Sequence, residues 1–257
     1  MATGSSNSGR RFFRTGHAYA DIAALLAEVE PKGLCLDFPS GTGVNLAGIR
    51  SAGFSPIVAD LFPEDAADEQ TPGVTADFIQ PLPFADESFA AVLCSEGIEH
   101  CSRQLDLIRE FARVLKPGGT LIVTTPNILN LRARLSFLFN GHSSFSRTPV
   151  TEVTQVRRES DGDGVYIGHA FLINYFQLRF MLKLAGFDGI GVSTAKYSMS
   201  AALLAPALWL PVRLGTARLL KRFAAKEDPG VCAEIVSHAT SADLLFGKKL
   251  IMIARKP

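Results

Sequence analysis

A turn of small residues follows the first predicted strand, and its residue types suit binding of a ligand through the backbone. Residues 34–38 are apolar apart from Asp37 and predict a buried parallel strand. The turn after this strand contains Pro39, Ser40, Gly41 and Gly43. The apolar spacing beyond the turn predicts a helix. Because glycine has no side chain, a ligand can approach the backbone N–H groups at the start of that helix.

A second acidic residue, Asp60, ends the next apolar run at residues 56–60. An acid at the end of the second strand of a βαβ unit can accept hydrogen bonds from ribose hydroxyls. The glycine turn alone would also fit a tight strand-to-helix connection that binds nothing. Asp37 and Asp60 together favour a nucleoside-binding site over that alternative.

The first strand and turn resemble those of class I S-adenosylmethionine-dependent methyltransferases, where the sequence is roughly Leu-Asp-Leu-Gly-Cys-Gly-x-Gly. Here it is Leu36-Asp37-Phe38-Pro39-Ser40-Gly41-Thr42-Gly43. Pro39 replaces the first glycine of the family and removes one backbone N–H donor. A second specific match is the turn Leu115-Lys116-Pro117-Gly118-Gly119. The resemblance covers residues 33–127 and returns at 169–187 and at the C-terminal strand. It is to the branch with small-molecule or lipid-linked acceptors, similar to enzymes of the ubiquinone-biosynthesis type.

The resemblance implies a Rossmann-like, doubly wound α/β sheet of seven strands, mostly parallel with an antiparallel last strand, plus two insertions. It implies S-adenosylmethionine as the cofactor. By position, the methionine end would lie at Asp37 and the turn, the ribose at Asp60 and the adenine at Asp77, although Phe78 could equally be a core aromatic. The predicted cofactor-binding residues are Asp37, Pro39, Ser40, Gly41, Gly43, Asp60, Leu61, Asp77, Phe78, Ser95 and Glu96.

Two histidines, His100 and His169, are the candidate catalytic residues. His100 ends the run Ser95-Glu96-Gly97-Ile98-Glu99-His100, and the family often has Glu-x-x-Glu-His at this place. An imidazole has a pKa near neutrality and can act as a general base. The alternatives are that Glu99 and His100 brace the following helix and that His169 is a structural loop residue. We predict no metal site.

The chain is predicted to be one domain at residues 16–257, preceded by a flexible segment at 1–15. One insertion, at about 128–168, contains a long polar stretch that predicts a lid or acceptor loop. Arg157 and Arg158 in this insertion could hold a phosphate or carboxylate of the acceptor. The run at 161–164 resembles part of a calcium loop but lacks further ligands, so a plain turn is the preferred interpretation.

The second insertion, at about 196–246, begins with an apolar stretch that contains the single tryptophan of the chain. Lysines and arginines follow, so residues 201–226 suit a membrane interface. The apolar run is too short to span a bilayer. A helical cap over the acceptor pocket and a dimer contact are the alternatives, and the oligomeric state stays open.

Charge and cysteine usage exclude several classes of protein. Lysine plus arginine number 26 and aspartate plus glutamate 25, so no overall positive field favours nucleic acid as a partner. The cysteines form no C-x-x-C pair and are predicted to be reduced, mostly buried thiols. The N-terminus lacks the apolar core of a signal peptide. We therefore expect a cytoplasmic protein, with peripheral contact at the cytoplasmic face of the membrane.

These features predict methyl transfer from S-adenosylmethionine to a small-molecule, sugar or lipid-linked acceptor, at oxygen. A non-catalytic S-adenosylmethionine-binding module is one alternative, because Pro39 departs from the family turn. An RNA methyltransferase is another, although the chain has no dedicated basic domain. A NAD-linked dehydrogenase would require a full G-x-G-x-x-G turn, which this sequence lacks.

Overall fold

The computed structural model describes residues 18–68, 70–145, 148–151, 154, 156–158, 165–223 and 228–257. The segment predicted to be flexible, 1–15, and the acidic run at 161–164 lie outside the described residues. The side chains of Arg157 and Arg158 also lie outside them, so their predicted role in acceptor binding stays a prediction.

The strands, in chain order, are β1 Leu34–Asp37, β2 Ser55–Asp60, β3 Gly73–Thr75, β4 Phe89–Ser95, β5 Leu115–Pro126, β6 Val156–Arg158, β7 Val165–Ile167, β8 Asp188–Ser193 and β9 Lys249–Arg255. The helices are α1 Ala18–Ala27, α2 Leu46–Ser51, α3 Gln104–Val114, α4 Leu131–Asn140, α5 Tyr175–Leu184, α6 Met199–Ala202, α7 Ala205–Phe223, α8 Pro229–Ala239 and α9 Ala242–Phe246.

Seven of these strands form one sheet in the order β3-β2-β1-β4-β5-β9-β8. The strands from β3 to β5 pair in parallel, and β9 runs antiparallel to both β5 and β8. This confirms the predicted Rossmann-like sheet with an antiparallel last strand. The chain order reverses between β1 and β4, and in such sheets ligands bind at that reversal, beyond the carboxyl ends of the strands.

Strand β4 is buried on both faces because helices cover the sheet on each side. Val92 packs in the cluster that contains α3 and α5, whereas Ala91 and Leu93 pack in the cluster that contains α1 and α2. Successive side chains of a strand point to opposite faces, so a strand between two helical layers must be apolar throughout. That requirement explains why residues 89–94 form an unbroken apolar run in the sequence.

The sequence predicts a helix at residues 104–114, and its family resemblance predicts another at 175–184; α3 and α5 have these bounds. The fifth strand is predicted to begin at Thr120, but β5 begins five residues earlier, at Leu115. The helix α3 ends because Leu115 is already extended. Pairing with β4 continues on both sides of the glycine turn, at Leu115 and again from Thr120, with a register shift between the two points. Gly118 has φ +76°, and a Cβ on Gly119 would lie 2.8 Å from the Lys116 carbonyl oxygen, so this path requires the two glycines.

The sequence predicts a third strand at residues 73–78, but β3 ends at Thr75. It lies at the sheet edge and pairs only with β2. The Ala76 N–H donates to the Asp60 carbonyl oxygen at 2.9 Å, after which the chain leaves the sheet. Asp77 and Phe78 therefore lie in the loop beyond the strand and not on it.

The predicted insertions lie at one end of the sheet. The first contains α4 and the β6–β7 hairpin, and the second contains α6 to α9 between β8 and β9. Among the described residues, no helix is both long and apolar enough to cross a membrane. All four cysteines are free and buried, as predicted.

We expect Phe111→Ala to lower the free energy of unfolding by about 3–5 kcal/mol, because this α3 side chain is fully buried between the sheet and α5. Urea denaturation followed by circular dichroism measures the change. Phe180→Ala on α5 is the matched control, since that ring is 63% exposed and should cost less than about 1 kcal/mol. Equal losses in the two variants would contradict the described core.

Candidate active site

The carboxyl ends of four parallel strands meet at one edge of the sheet. This edge brings together Asp37 at the end of β1, Asp60 at the end of β2, Ser95 at the end of β4 and Pro126 at the end of β5. Residues that are far apart in sequence thus line the crevice at the reversal of strand order.

The turn after β1 is fixed by backbone hydrogen bonds and leaves open space at its tip. The Gly41 N–H donates to the Asp60 carboxylate at 2.9 Å, and the Ser40 N–H donates to the Ala59 carbonyl oxygen at 3.0 Å. Gly41 has φ +51°, and no other atom lies within 4 Å of the position of a Cβ there. Asp60 therefore positions the turn as well as ending β2, and the Gly41 backbone stays accessible to a ligand.

Asp37 is completely buried beneath this turn. Its carboxyl oxygens accept from the Asn45 side-chain amide at 3.3 and 3.4 Å. Burial raises the pKa of Asp37 to about 8, the Asn45 hydrogen bond opposes the rise, and the charge of Asp60 adds to it. The sequence contained no signal for Asn45, which becomes recognisable only when α2 is packed against β1.

Two buried polar atoms beside Asp37 have no hydrogen-bond partner among the described residues. They are Ser40 Oγ and Asn45 Oδ1. Buried polar atoms in native proteins normally have partners, so these two indicate a missing polar ligand. The amino, carboxylate and ribose groups of S-adenosylmethionine would supply such partners. The donor set at this edge therefore fits that cofactor.

Pro39 occupies the place of the family glycine without closing the turn, because Gly97 makes room for it. A Cβ on Gly97 would lie 2.1 Å from Pro39 Cδ, well inside contact distance. Gly97 belongs to the loop after β4, so the proline ring packs directly on the backbone that carries the Glu-x-x-Glu-His run. Sequence reasoning missed Gly97, since the contact joins two separate loops.

Ser95 and Glu96 lie where β4 leaves the sheet and are bonded to its neighbour β5. Ser95 Oγ lies 3.4 Å from Thr124 Oγ1, which also donates to the Glu96 carboxylate at 3.2 Å. Glu96 has φ +51° and forms an ion pair with Lys249 at 3.4 Å. Both residues lie on the crevice side, and their predicted contact with the cofactor stays a prediction.

The predicted adenine-side residues lie on two adjacent loops. Leu61 follows β2 and is half exposed, and the Asp77 carboxylate accepts from the Ile79 N–H at 3.3 Å. The centroid of the Phe78 ring lies 5.0 Å from the centroid of the Phe38 ring, and Phe78 packs against the main core. Phe78 therefore packs as a core aromatic. The cofactor contacts of Leu61, Asp77 and Phe78 stay predictions.

The fold brings His100 and His169 together from distant parts of the chain. Their ring centroids are 4.8 Å apart in an edge-on arrangement. Two hydrogen bonds hold the loops that carry them: the Phe171 N–H donates to the Glu99 carbonyl oxygen at 3.0 Å, and the Gln104 side chain donates to the Phe171 carbonyl oxygen at 2.6 Å. The two candidate catalytic residues therefore share one site.

Glu99 is completely buried beside the histidines. Its Oε2 accepts from Thr125 Oγ1 at 3.0 Å, and its Oε1 has no partner among the described residues. Burial raises the pKa of Glu99 to about 7, with a further contribution from the charge of Glu96. Arg103, and not Glu99, occupies the N-cap position of α3, and the interpretation that Glu99 and His100 brace this helix stays an alternative.

A cavity of about 1250 Å³ opens at the end of β5, beside the histidines. Residues of the first insertion form most of its wall, and none of the predicted cofactor-binding residues line it. The ionisable side chains among its described lining residues are basic or imidazole groups, namely His100, Arg132, His142, His169 and Lys248. The cavity therefore favours a ligand that carries negative charge.

Comparison with known proteins gives a family match for the segment from β1 to β5. Residues 36–123 match the family described as a methyltransferase domain. A demethylmenaquinone methyltransferase from Mycobacterium tuberculosis is 35% identical over 91 residues, which are 34% of this chain and 38% of that protein. The bifunctional biotin biosynthesis protein BioHC of Cellvibrio japonicus is 38% identical over 96 residues, which are 35% of this chain and 19% of that protein. The chain thus spans about two fifths or less of these relatives.

Solved structures agree with this assignment at the level of the fold. An S-adenosylmethionine-dependent methyltransferase from Archaeoglobus fulgidus has a TM-score of 0.56 at 17% identity, covering 93% of this chain and 92% of that one. One from Thermotoga maritima has a TM-score of 0.52 at 14% identity, covering 93% and 89%. Residues 36–123 therefore match a methyltransferase domain, and the chain has the fold of S-adenosylmethionine-dependent methyltransferases, as its first strand and turn predicted.

We expect Asp37→Asn to change how stability depends on pH. A carboxyl whose folded-state pKa is about 8 holds its proton in the folded chain after losing it in the unfolded chain. The free energy of unfolding of the native protein should therefore fall as the pH rises from about 4 to about 8. The variant lacks this contribution, so its stability relative to the native protein should increase by at least about 1 kcal/mol between pH 5 and pH 8.

Urea denaturation of both proteins across this pH range, without cofactor, measures the difference. Asp65→Asn is the control, since that side chain is exposed on the same edge and should give a flat difference. A flat difference for Asp37→Asn would show that the carboxyl is already ionised in the folded protein.

Proposed function

We propose that this protein transfers the methyl group of S-adenosylmethionine to an oxygen atom of a small, anionic or lipid-linked acceptor. The observation that carries the proposal is the adjacency of two features at one sheet edge. The cofactor-type residues lie at the ends of β1 and β2, and the cavity opens at the end of β5. His100 and His169, beside the end of β4, lie between them.

The proposed class of acceptor rests on the charge of the cavity. Arg132 and Lys248 line it, and its described lining contains no aspartate or glutamate. A carboxylate, phosphate or acidic hydroxyl would therefore be attracted into it. The Mycobacterium tuberculosis relative is named for demethylmenaquinone, which supports a small or lipid-linked acceptor rather than a nucleic acid.

The chemistry divides between the cofactor and the chain. S-adenosylmethionine supplies a methyl group on a positively charged sulfur, which is intrinsically electrophilic. Asp37, Asp60 and the turn would hold the cofactor, and the cavity would orient the acceptor oxygen. A hydroxyl acceptor must lose its proton, and His100 and His169 are placed to assist this loss, either directly or through a bound cation.

We expect Asp60→Ala to weaken S-adenosylmethionine binding by about 10-fold or more, because the carboxylate would bind ribose and also accepts from the Gly41 N–H. Isothermal titration calorimetry measures the affinity. Asp60→Asn separates the two contributions, since an amide oxygen can still accept from Gly41 but offers one acceptor fewer. Asp65→Ala, an exposed neighbour, is the control and should bind normally. Unchanged affinity in Asp60→Ala would contradict the assignment.

Turnover separates the enzyme from a non-catalytic binding module. Purified protein with labelled cofactor and a panel of phenolic, sugar and quinone-type acceptors should transfer label to at least one class. Binding of the cofactor without transfer to any acceptor, including an extract of the producing cells, would favour the binding module.

A second part of the proposal is peripheral contact with an anionic membrane at the cytoplasmic face, through residues 201–226 and the neighbouring α4. The inner side of α7 packs on the domain through Leu208 and Val212, and Leu204, just before the helix, packs in the same cluster. Its outer side exposes apolar side chains: Leu210 is 52% exposed and Leu214 is 60% exposed. An exposed apolar surface of this kind favours an interaction with another apolar phase.

The charge of this surface favours lipid as the occupant. Between positions 189 and 226 the sequence has lysines and arginines but no aspartate or glutamate. Arg213 and Arg218 are exposed on α7, and the Arg213 guanidinium lies 5.2 Å from the centre of the Trp209 ring. Basic residues beside apolar and tryptophan side chains match the headgroup region of an anionic bilayer.

We expect the fluorescence of Trp209, the single tryptophan, to shift to shorter wavelength when vesicles containing phosphatidylglycerol are added. Neutral phosphatidylcholine vesicles should give a much smaller shift. Leu210→Asp should reduce cosedimentation with the anionic vesicles several-fold, whereas Leu184→Asp, a leucine of equal exposure on α5, should not. Dimerisation in sedimentation velocity that Leu210→Asp abolishes, without vesicle binding, would assign this surface to a second copy.

A further inference from the structure

Three side chains of metal-ligating type converge beside the acceptor cavity. Ligand atoms of Glu99, His100 and His169 all lie within 4.8 Å of one another. His100 and His169 also line the cavity, whereas Glu99 lies buried behind them. The sequence predicted no metal site. His169 is far from Glu99 and His100 in the chain, so the three residues meet only in the folded structure.

The second observation is the orphaned oxygen of Glu99. This residue is 0% exposed, and its Oε1 has no hydrogen-bond partner among the described residues. A buried carboxylate oxygen without a partner is costly, and native structures usually supply a donor, a water or an ion. A cation between Glu99 and the two imidazoles would satisfy it.

The surrounding hydrogen bonds hold these ligands in place. Thr125 Oγ1 donates to Glu99 Oε2, which leaves Oε1 as the oxygen without a partner among the described residues. Gln104 donates to the carbonyl oxygens of Ile98 and Phe171, so one side chain fixes both loops that carry the cluster. Outer partners of this kind orient the ligands of metal sites.

We propose that Glu99, His100 and His169 bind one divalent first-row transition cation, such as Zn²⁺, Mn²⁺ or Co²⁺. Two imidazoles and one carboxylate suit these ions, whereas Mg²⁺ prefers a set of oxygen ligands. Bonds of about 2.1 Å would place neighbouring ligand atoms about 3.4 Å apart, so small side-chain rotations are needed to close the set. Three protein ligands leave coordination positions open toward the cavity.

The open positions define a role that rests on the proposed methyl transfer. An acceptor hydroxyl bound to the cation loses its proton to water of the open cavity, because the cation stabilises the oxyanion. The oxyanion then forms the new O–CH₃ bond while the S–CH₃ bond breaks. The bonding electrons stay on sulfur, which becomes a neutral thioether. In this arrangement the histidines are ligands and do not act as the base.

Metal binding is tested without any acceptor. Protein stripped with EDTA and dialysed is titrated with Co²⁺, whose visible spectrum reports the coordination number. We expect one equivalent per chain and a four- or five-coordinate spectrum. Glu99→Gln, His100→Gln and His169→Gln should each lower the Co²⁺ affinity by about 10-fold or more. His142→Gln, a histidine of the same cavity outside the cluster, should keep it.

Two outcomes would overturn the proposal. One is absence of saturable Co²⁺ binding by the native chain. The other is Co²⁺ affinity in the three cluster variants equal to that of the native chain, which would assign the ion to another site. S-adenosylmethionine titrations and circular dichroism of the same variants show that they are folded. Failure of metal binding with intact cofactor binding would reject the metal site and leave the proposed methyl transfer standing.

Discussion

The structure depends on one topological constraint, the reversal of strand order between β1 and β4. Crossovers in parallel sheets have one hand, so helices that follow strands on either side of the reversal lie on opposite faces. The loops that follow β1 and β4 therefore lead to opposite faces of the sheet, and a crevice lies where they diverge. Pro39 and Gly97, one from each loop, are in contact at this point.

Two fully buried carboxyls lie at this edge, Asp37 behind the turn after β1 and Glu99 behind the loop after β4. Burial raises the pKa of both, so each is a cost to the folded chain unless a ligand compensates it. Three polar atoms at this edge have no partner among the described residues. Ser40 Oγ and Asn45 Oδ1 belong to the turn region around Asp37, and Oε1 belongs to Glu99 itself. Native cores seldom retain such groups, and in enzymes they cluster at functional sites.

The two insertions extend the sheet edge in different directions. The first, with Arg132 and the loop beyond α4, forms the wall of a basic cavity next to the histidines. The second packs through the inner side of α7 on Leu131 and Leu245 and presents an apolar, basic outer surface. Cavity and surface share the helix α4, whose Ala133 lines the cavity and whose Leu138 is exposed. An acceptor drawn from a membrane would thus meet both.

The sequence by itself predicted single strands and helices, because apolar runs and helical spacing are local signals, and its resemblance to a known family predicted the sheet and the cofactor edge. The sequence predicted α3 and α5 with their observed bounds, and the resemblance placed Asp37, Gly41 and Asp60 at one edge. Only the tertiary structure decided that Asn45 bonds Asp37, that Gly97 receives Pro39 and that His169 meets Glu99. Those contacts join separate loops, and no local pattern of residues encodes the distance between two loops.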